Sequence, residues 1–287
     1  MTTYRYIRIA LILISLGLAT TLGGCSVVRL AYNNSDWLLL KEMNSYLNLS
    51  RVQETAAFER LRLRLEEHRR DELPEYLAYL RRVRPAAEDG LSEGETDWTV
   101  ERGYELARIT VARTIPAITP SLVGLLDEQI DNLESRLTEV NRNFRHEYLP
   151  KSEAERTARH AQRTIKRIEH WTGALREEQR DLAARLRNSF PESAEAWLAY
   201  HMEQQQHLLS LLRARADHPT LDAFLNGWWV NLEGRSAALK RKNDQALVAM
   251  KQLIIKMDAT LDDSQRHFLL WRLDGYIAQI EKLVDHR

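Results

Sequence analysis

The sequence predicts an all-α protein, an extended multi-helix bundle of about ten helices, several of them long and heptad-patterned, behind a signal peptide. Three observations carry this expectation. The chain is 44% hydrophobic and 29% charged; it is rich in Leu, Ala, Arg and Glu, a helix-favouring composition, and runs of Val, Ile and Thr suited to strands are scarce. Capping signals recur in front of apolar-periodic stretches. Long segments keep alternating steps of four and three between apolar residues, the seam of a heptad pattern.

The first element is the signal. Arg5 and Arg8 precede an apolar stretch from Ile9 to Leu22, which at about 14 residues is shorter than the roughly 20 a membrane span needs. It ends at Leu22-Gly23-Gly24-Cys25, which contains the single cysteine. This tetrapeptide resembles the lipobox of bacterial lipoproteins, with Gly23 the less usual choice at its position. The resemblance implies that residues 1–24 are removed, that Cys25 carries diacylglycerol, and that the new amino terminus is acylated with a palmitate-class chain. Residues 25–34 then form a lipidated tether and 35–287 an all-helical periplasmic domain. Several acyl chains exceed the two signals that stable anchoring requires. Ser26 stands where an aspartate would resemble an inner-membrane retention signal, so the expected location is the periplasmic face of the outer membrane. With the one cysteine lipidated no disulfide can form, and stability must come from burial. Loss of Arg5 and Arg8 leaves 41 minus 2 basic side chains against 41 acidic ones, a balance that invites no nucleic acid.

Helices follow from their punctuation. Ser35 or Asp36 caps a helix that opens Trp37-Leu38-Leu39-Leu40. Ser50 with Gln53 forms a capping box for a second, to about Arg70. Leu61, Leu63 and Leu65 alternate like a strand, but Phe58, Leu61 and Leu65 fit helical spacing and the context decides. Leu73-Pro74 starts a third helix, which ends near Gly90 to Gly94. A fourth follows Thr96, and Pro116 and Pro120 break or kink it. The fifth runs from Ser121 to Tyr148, about 42 Å, with Leu126, Ile130, Leu133, Leu137, Val140 and Phe144 as its seam. Pro150 stops it. Ser152 and Glu155 box the next, to Trp171, and Gly173 ends that one. Leu175–Phe190, Ser193–Ala216, Thr220–Trp229, Gly234–Thr260 and Asp262–His286 complete the series.

Three patterns invite a functional reading. Leu49 to Gln53, Leu175 to Gln179 and Leu261 to Gln265 each place leucine four residues before glutamine at a helix start, where they suit a hydrophobic staple and a reciprocal cap. The spacing is similar to the Leu-Thr-x-x-Gln motif of small periplasmic helical chaperones, which bind unfolded clients. The intervals of 126 and 86 residues between the leucines are unequal and argue against a solenoid. A second seam, Leu239, Asn243, Ala246, Met250, Leu253 and Met257, puts Asn243 at a core position; it fits an intramolecular bundle or a homo-oligomeric coiled coil. Trp228 and Trp229 point about 100° apart on a helix, so either two helices sandwich them or one ring forms a binding edge.

Catalytic and metal-binding patterns are missing. There is no His-Glu-x-x-His, Glu-x-x-His, Cys-x-x-Cys-His, Walker loop or Gly-x-Ser-x-Gly. Glu203 and His207 share a helical face, but two ligands are too few for a structural metal. The arginines at 60, 62, 64, 69, 70, 81, 82 and 84 are balanced by nearby acids, which suits a solvated face or, alternatively, anionic headgroups. No cofactor and no enzyme activity are expected.

Arg29-Leu30-Ala31-Tyr32-Asn33-Asn34-Ser35-Asp36-Trp37-Leu38-Leu39, continuing to Leu49 and Gln53, resembles a proteobacterial lipoprotein family of unknown function, and Glu72-Leu73-Pro74-x-Tyr76 fits the same likeness. The resemblance implies a lipid-anchored, all-helical envelope protein and supplies no activity. Physically, Asn33-Asn34 suits a turn, and Trp37 with Leu38 to Leu40 suits a helix that docks the tether or dips into the bilayer interface. The expected function is a non-enzymatic interaction or scaffold lipoprotein whose protein or lipid partner is unspecified. The alternatives are a tethered periplasmic chaperone and, below it, an envelope hydrolase drawing on the many Glu and His.

Overall fold

The computed structural model describes residues 32–150 and 152–285. The signal segment, Cys25 and the tether through residue 31 lie outside the described residues. Among those described, every regular element is helical, so the all-α, multi-helix expectation holds. The helices are α1 (Ser35–Leu47), α2 (Arg51–Glu67), α3 (Leu73–Asp89), α4 (Glu93–Val123), α5 (Asp127–Tyr148) and α6 (Glu153–Thr172). They continue as α7 (Glu177–Asn188), α8 (Ala194–Arg213), α9 (His218–Leu225), α10 (Ala237–Asp258) and α11 (Asp263–Asp285). Two π-helical turns, His68–Glu72 and Asn226–Asn231, follow α2 and α9. No helix among the described residues is long and apolar enough to cross a membrane.

Most starts and stops obey the local signals. The Ser50 hydroxyl accepts from the Gln53 amide at 3.4 Å while the Gln53 side chain accepts from the Ser50 amide at 2.9 Å. The side chains of Ser152, Asp217 and Ser236 accept from the amides of Glu155, Thr220 and Leu239 and cap α6, α9 and α10 without the reciprocal bond. Gly173, at φ 77°, ends α6 in a conformation that a Cβ would strain. In α2, Leu61 and Leu65 are buried and Leu63 is 52% exposed, which is the helical reading of those alternating leucines and not the strand.

Two expectations fail in instructive ways. α4 continues without a break through Pro116 and Pro120, and the break falls at residues 124–126. Each proline costs a helix interior about 3 kcal/mol, but Ile115, Ile118 and Leu122 are all buried on this turn, at about 1.5–3 kcal/mol each. Burial wins. The fifth helix is therefore 22 residues long and starts at Asp127, a span of about 33 Å. Its first seam residue, Leu126, is 65% exposed. The second lies between α2 and α3: α3 begins at Leu73 as expected, but the π turn His68–Glu72 joins it to α2 without interruption. A widened turn there accommodates Pro74, which lacks the amide a regular α-turn would use.

The described chain forms two compact units. Unit 1 takes residues up to Glu72, Leu106–Glu147 and Ala194–Arg235; unit 2 takes Leu73–Glu105, Tyr148–Ser193 and the stretch from Ser236. In unit 1, α1 packs along α2, and Leu39, Met43 and Leu47 at steps of four form the buried stripe of α1. In unit 2, Leu175, Ala183, Phe190, Leu253 and Met257 form one core, and Val83, Ala87 and Leu273 another.

Candidate functional site

Within unit 1, Tyr32 of the first stretch of the family likeness and Glu72, the first residue of the second, both approach His68. Tyr32, from the run behind Cys25, places its hydroxyl oxygen 2.9 Å from Nδ1 of His68, with the rings stacked at 5.9 Å. Arg69 lies over the Tyr32 ring at 5.3 Å and donates to the Asn33 side chain at 3.1 Å. Glu72 closes the π turn and is 3% exposed. Its Oε1 accepts from Nη2 of Arg64 at 2.5 Å and its Oε2 from the Thr110 hydroxyl at 2.6 Å. Nη1 of Arg113 reaches to 3.6 Å of Oε1 from the solvent side, and Nε2 of His68 lies 3.9 Å from Oε2.

The π turn makes this alignment possible. Residues four apart drift by about 40° around an α-helix; the wider turn over 68–72 cancels most of that drift. Arg64, His68 and Glu72 thus share the buried face. Burial pushes the Tyr32 hydroxyl up to about 12 and the His68 imidazole down to about 4. Both are neutral at ordinary pH. The carboxylate has both oxygens engaged by side chains of this chain, so the cluster is built as a clamp on the start of the helical body.

A second constellation concerns the glutamines. A fourth Leu-x-x-x-Gln copy, Leu125 to Gln129, sits at the true start of α5, and the four copies pair in twos. In unit 1, Nε2 of Gln53 donates to Oε1 of Gln129 at 3.2 Å and to the Gly124 carbonyl at 2.9 Å. Gln129 answers with donations to Oε1 of Gln53 at 2.9 Å and to the Asn48 carbonyl at 2.8 Å. In unit 2, Gln179 donates to Gln265 and the Thr260 carbonyl, both at 2.8 Å. Gln265 donates to Gln179 at 2.9 Å and to the Ala174 carbonyl at 2.8 Å. Each Oε1 also accepts the first amide of its own helix, at Ser50, Leu126, Arg176 and Asp262. Every donor and acceptor of the four amides is used. Arg176 offers no cap oxygen; its guanidinium crosses to Asp262 and to the Thr260 carbonyl instead.

Residues 45–227 match the family of unknown function DUF6279. The chain belongs to that family. No curated protein and no solved structure matches it. The DUF6279 span takes in Arg64, His68, Glu72, Thr110, the unit 1 clasp and Gln179, and it begins after Tyr32.

The other candidate residues of this DUF6279 member separate. Cys25 lies outside the described residues. Trp228 is 3% exposed and packs on Phe224 and Trp229, with ring centroids 5.7 and 5.9 Å away. Trp229 is half-buried and its Nε1 is buried, so only part of its ring reaches solvent. Asn243 is half-buried on α10, while Ala246, Met250, Leu253 and Met257 of the same seam pack into the core of unit 2. That is the intramolecular use of the seam. Glu203 and His207 are exposed, and no group of three or more ligating side chains is present among the described residues. Arg64 departs from the solvated face assigned to it: it is 3% exposed. Arg62 pairs with Glu59 and Glu66, and Arg70 with Asp71.

Acid should loosen unit 1. His68 and His201 are both buried, and burial lowers each to about 4 from an ordinary 6.5. The unfolded chain takes up these protons first, so stability is complete above pH 6.5 and falls as pH drops towards 4. The expected loss is about 3 kcal/mol per histidine. His201 stacks on Trp197 at 5.3 Å, so His201→Phe keeps the stack and removes the titration. Urea unfolding at pH 7 and pH 4.5 should show a smaller acid loss in His201→Phe than in the wild type; equal losses would refute the assignment.

Proposed function

We propose that this protein is a non-enzymatic interaction or scaffold lipoprotein, anchored through Cys25 at the periplasmic face of the outer membrane. The supporting observation is the clamp on Tyr32. The buried phenol and its bond to His68 fix the start of the helical body seven residues after Cys25, and seven residues span at most about 25 Å. A body seated so near its anchor acts on partners at the membrane. The titratable groups of the candidate site also serve one another, with Glu72 held by Arg64 and Thr110.

The test is photocrosslinking in living cells from Trp229 and from positions along Arg60–Arg70, together with mass analysis of the mature amino terminus. A triacylated Cys25 and a specific protein or lipid adduct are expected. An unmodified Cys25, or adducts no different from those of a random surface position, would defeat the proposal.

A second reading is a tethered chaperone for unfolded clients. It draws support from the spacing of the four Leu-x-x-x-Gln copies, which resembles the motif of periplasmic helical chaperones. Suppression of model-client aggregation at equimolar ratio is its expected result; no slowing would remove it.

A further inference from the structure

Helix α1 buries one stripe and leaves the opposite one bare. Leu39, Met43 and Leu47 turn inward. Trp37, Lys41 and Ser45, also four apart, are exposed; Trp37 is 55% exposed and the Lys41 ammonium lies 5.2 Å from its ring centroid. A tryptophan so open to water forfeits most of the burial its large ring could gain. An indole beside a lysine is the pairing found where helices meet the membrane–water interface, with the ring at headgroup depth and the ammonium among the phosphates.

The position of this stripe along the chain says what covers it. Cys25 and Tyr32 are seven residues apart, at most about 25 Å. From Tyr32 to Trp37 the helical rise adds only about 8 Å. An acylated Cys25 therefore holds Trp37 within about 33 Å of the bilayer surface, permanently and at high effective concentration. The Tyr32–His68 contact and the Arg69–Asn33 bond fix the near end of α1 to the rest of unit 1. A rigid helix on so short a leash presents its outer stripe to the surface that holds the leash.

We infer that the Trp37–Lys41–Ser45 stripe of α1 is a docking face for the phospholipid bilayer, with Trp37 at headgroup depth. The face sets which side of unit 1 looks into the periplasm. The inference rests on the lipid-anchor reading above, and the test separates the two.

Full-length, lipidated protein is reconstituted into phosphatidylethanolamine–phosphatidylglycerol vesicles after Trp37→Cys and labelling with an environment-sensitive fluorophore. Val52→Cys, at a position 81% exposed in the same unit, is the comparison; acylation occupies Cys25, so each protein carries one label. Vesicle flotation is measured alongside, with unlipidated Cys25→Ser as the control, and helical content is compared with wild type. The expected result is flotation of the lipidated chain, a blue-shifted emission at position 37, and loss of that emission with headgroup-proximal spin-labelled lipid, with neither change at position 52. Lys41→Glu should reduce the quenching at 37. Flotation with water-like emission at both positions would overturn the docking face and leave the anchor standing. Failure of the native chain to acquire lipid or to float would overturn the anchor, and the docking face with it. Shielding of position 37 in cells but not on vesicles would assign the stripe to a protein and overturn the inference.

Discussion

Replacing Glu72 by leucine is expected to destabilise the protein by about 3–5 kcal/mol, and adding Arg64→Met to that variant is expected to restore most of the loss. Arg64 is 3% exposed, and among the described residues the Glu72 carboxylate is its ion-pair partner, at 2.5 Å. Its Nε and Nη1 are buried and make no hydrogen bond in the described structure. Removing the carboxylate leaves a guanidinium in low dielectric without a counter-charge, a state far costlier than the pair itself is favourable. Removing both charges replaces the pair with apolar volume. The Thr110 hydroxyl, which donates to Glu72 at 2.6 Å, can turn to a carbonyl one helical turn back, as Thr114 does to Thr110 at 2.7 Å. A double variant whose loss equals the sum of the two single losses would show that the residues act independently and sink this account.

The same cluster marks the limit of what the sequence discloses. Ser50 with Gln53, Ser152 and Gly173 announce helix ends because capping is local, and those ends stand where local chemistry puts them. Nothing local announces that Arg64 turns inward. Thr110, which shares the Glu72 carboxylate with it, is 38 residues from Glu72 in sequence, and the π turn that aligns Arg64 with Glu72 has no composition of its own. The resemblance contained both Tyr32 and Glu72, in two separate stretches, and gave no physical reason to join them. Burial around residues 64–72 is a tertiary outcome, visible only once α4 is in place.

The fourth glutamine copy was legible in principle. Leu125 and Gln129 have the spacing of the other three, and a leucine 2% exposed precedes a glutamine 6% exposed. Placing the helix break at Pro116 and Pro120 hid them, because Gln129 then falls inside a helix where no cap is needed. The local cost of the prolines is outweighed by the burial of Ile115, Ile118 and Leu122. With the break at residues 124–126 the copies resolve into two pairs, one per unit, 76 and 86 residues apart. The unequal intervals that argue against a solenoid are what two separate clasps produce.

Gln179→Leu and Gln265→Leu are each expected to cost about 2–5 kcal/mol, and the double variant clearly less than the sum of the two. Either substitution deletes both amide-to-amide bonds and leaves the surviving glutamine with an unmatched donor and acceptor at 2% or 5% exposure. It also orphans a helix-start amide, Arg176 for one and Asp262 for the other. Each buried polar atom left in this way costs about 1–3 kcal/mol. The second substitution finds its partner already gone, so it removes fewer bonds than the first. Gln53→Leu should cost less than either, because Gln53 is only half-buried and water can replace part of what it supplies. Gln179→Glu tests the geometry from another side: it keeps the acceptor for the Arg176 amide but turns a carboxylate oxygen towards Oε1 of Gln265 and the Thr260 carbonyl. That variant should be less stable at neutral pH than Gln179→Leu, since the buried charge adds repulsion to the lost bonds. Urea unfolding of the wild type and the five variants measured together decides the matter: a Gln179→Leu variant within about 0.5 kcal/mol of wild type would mean that the clasp fastens nothing.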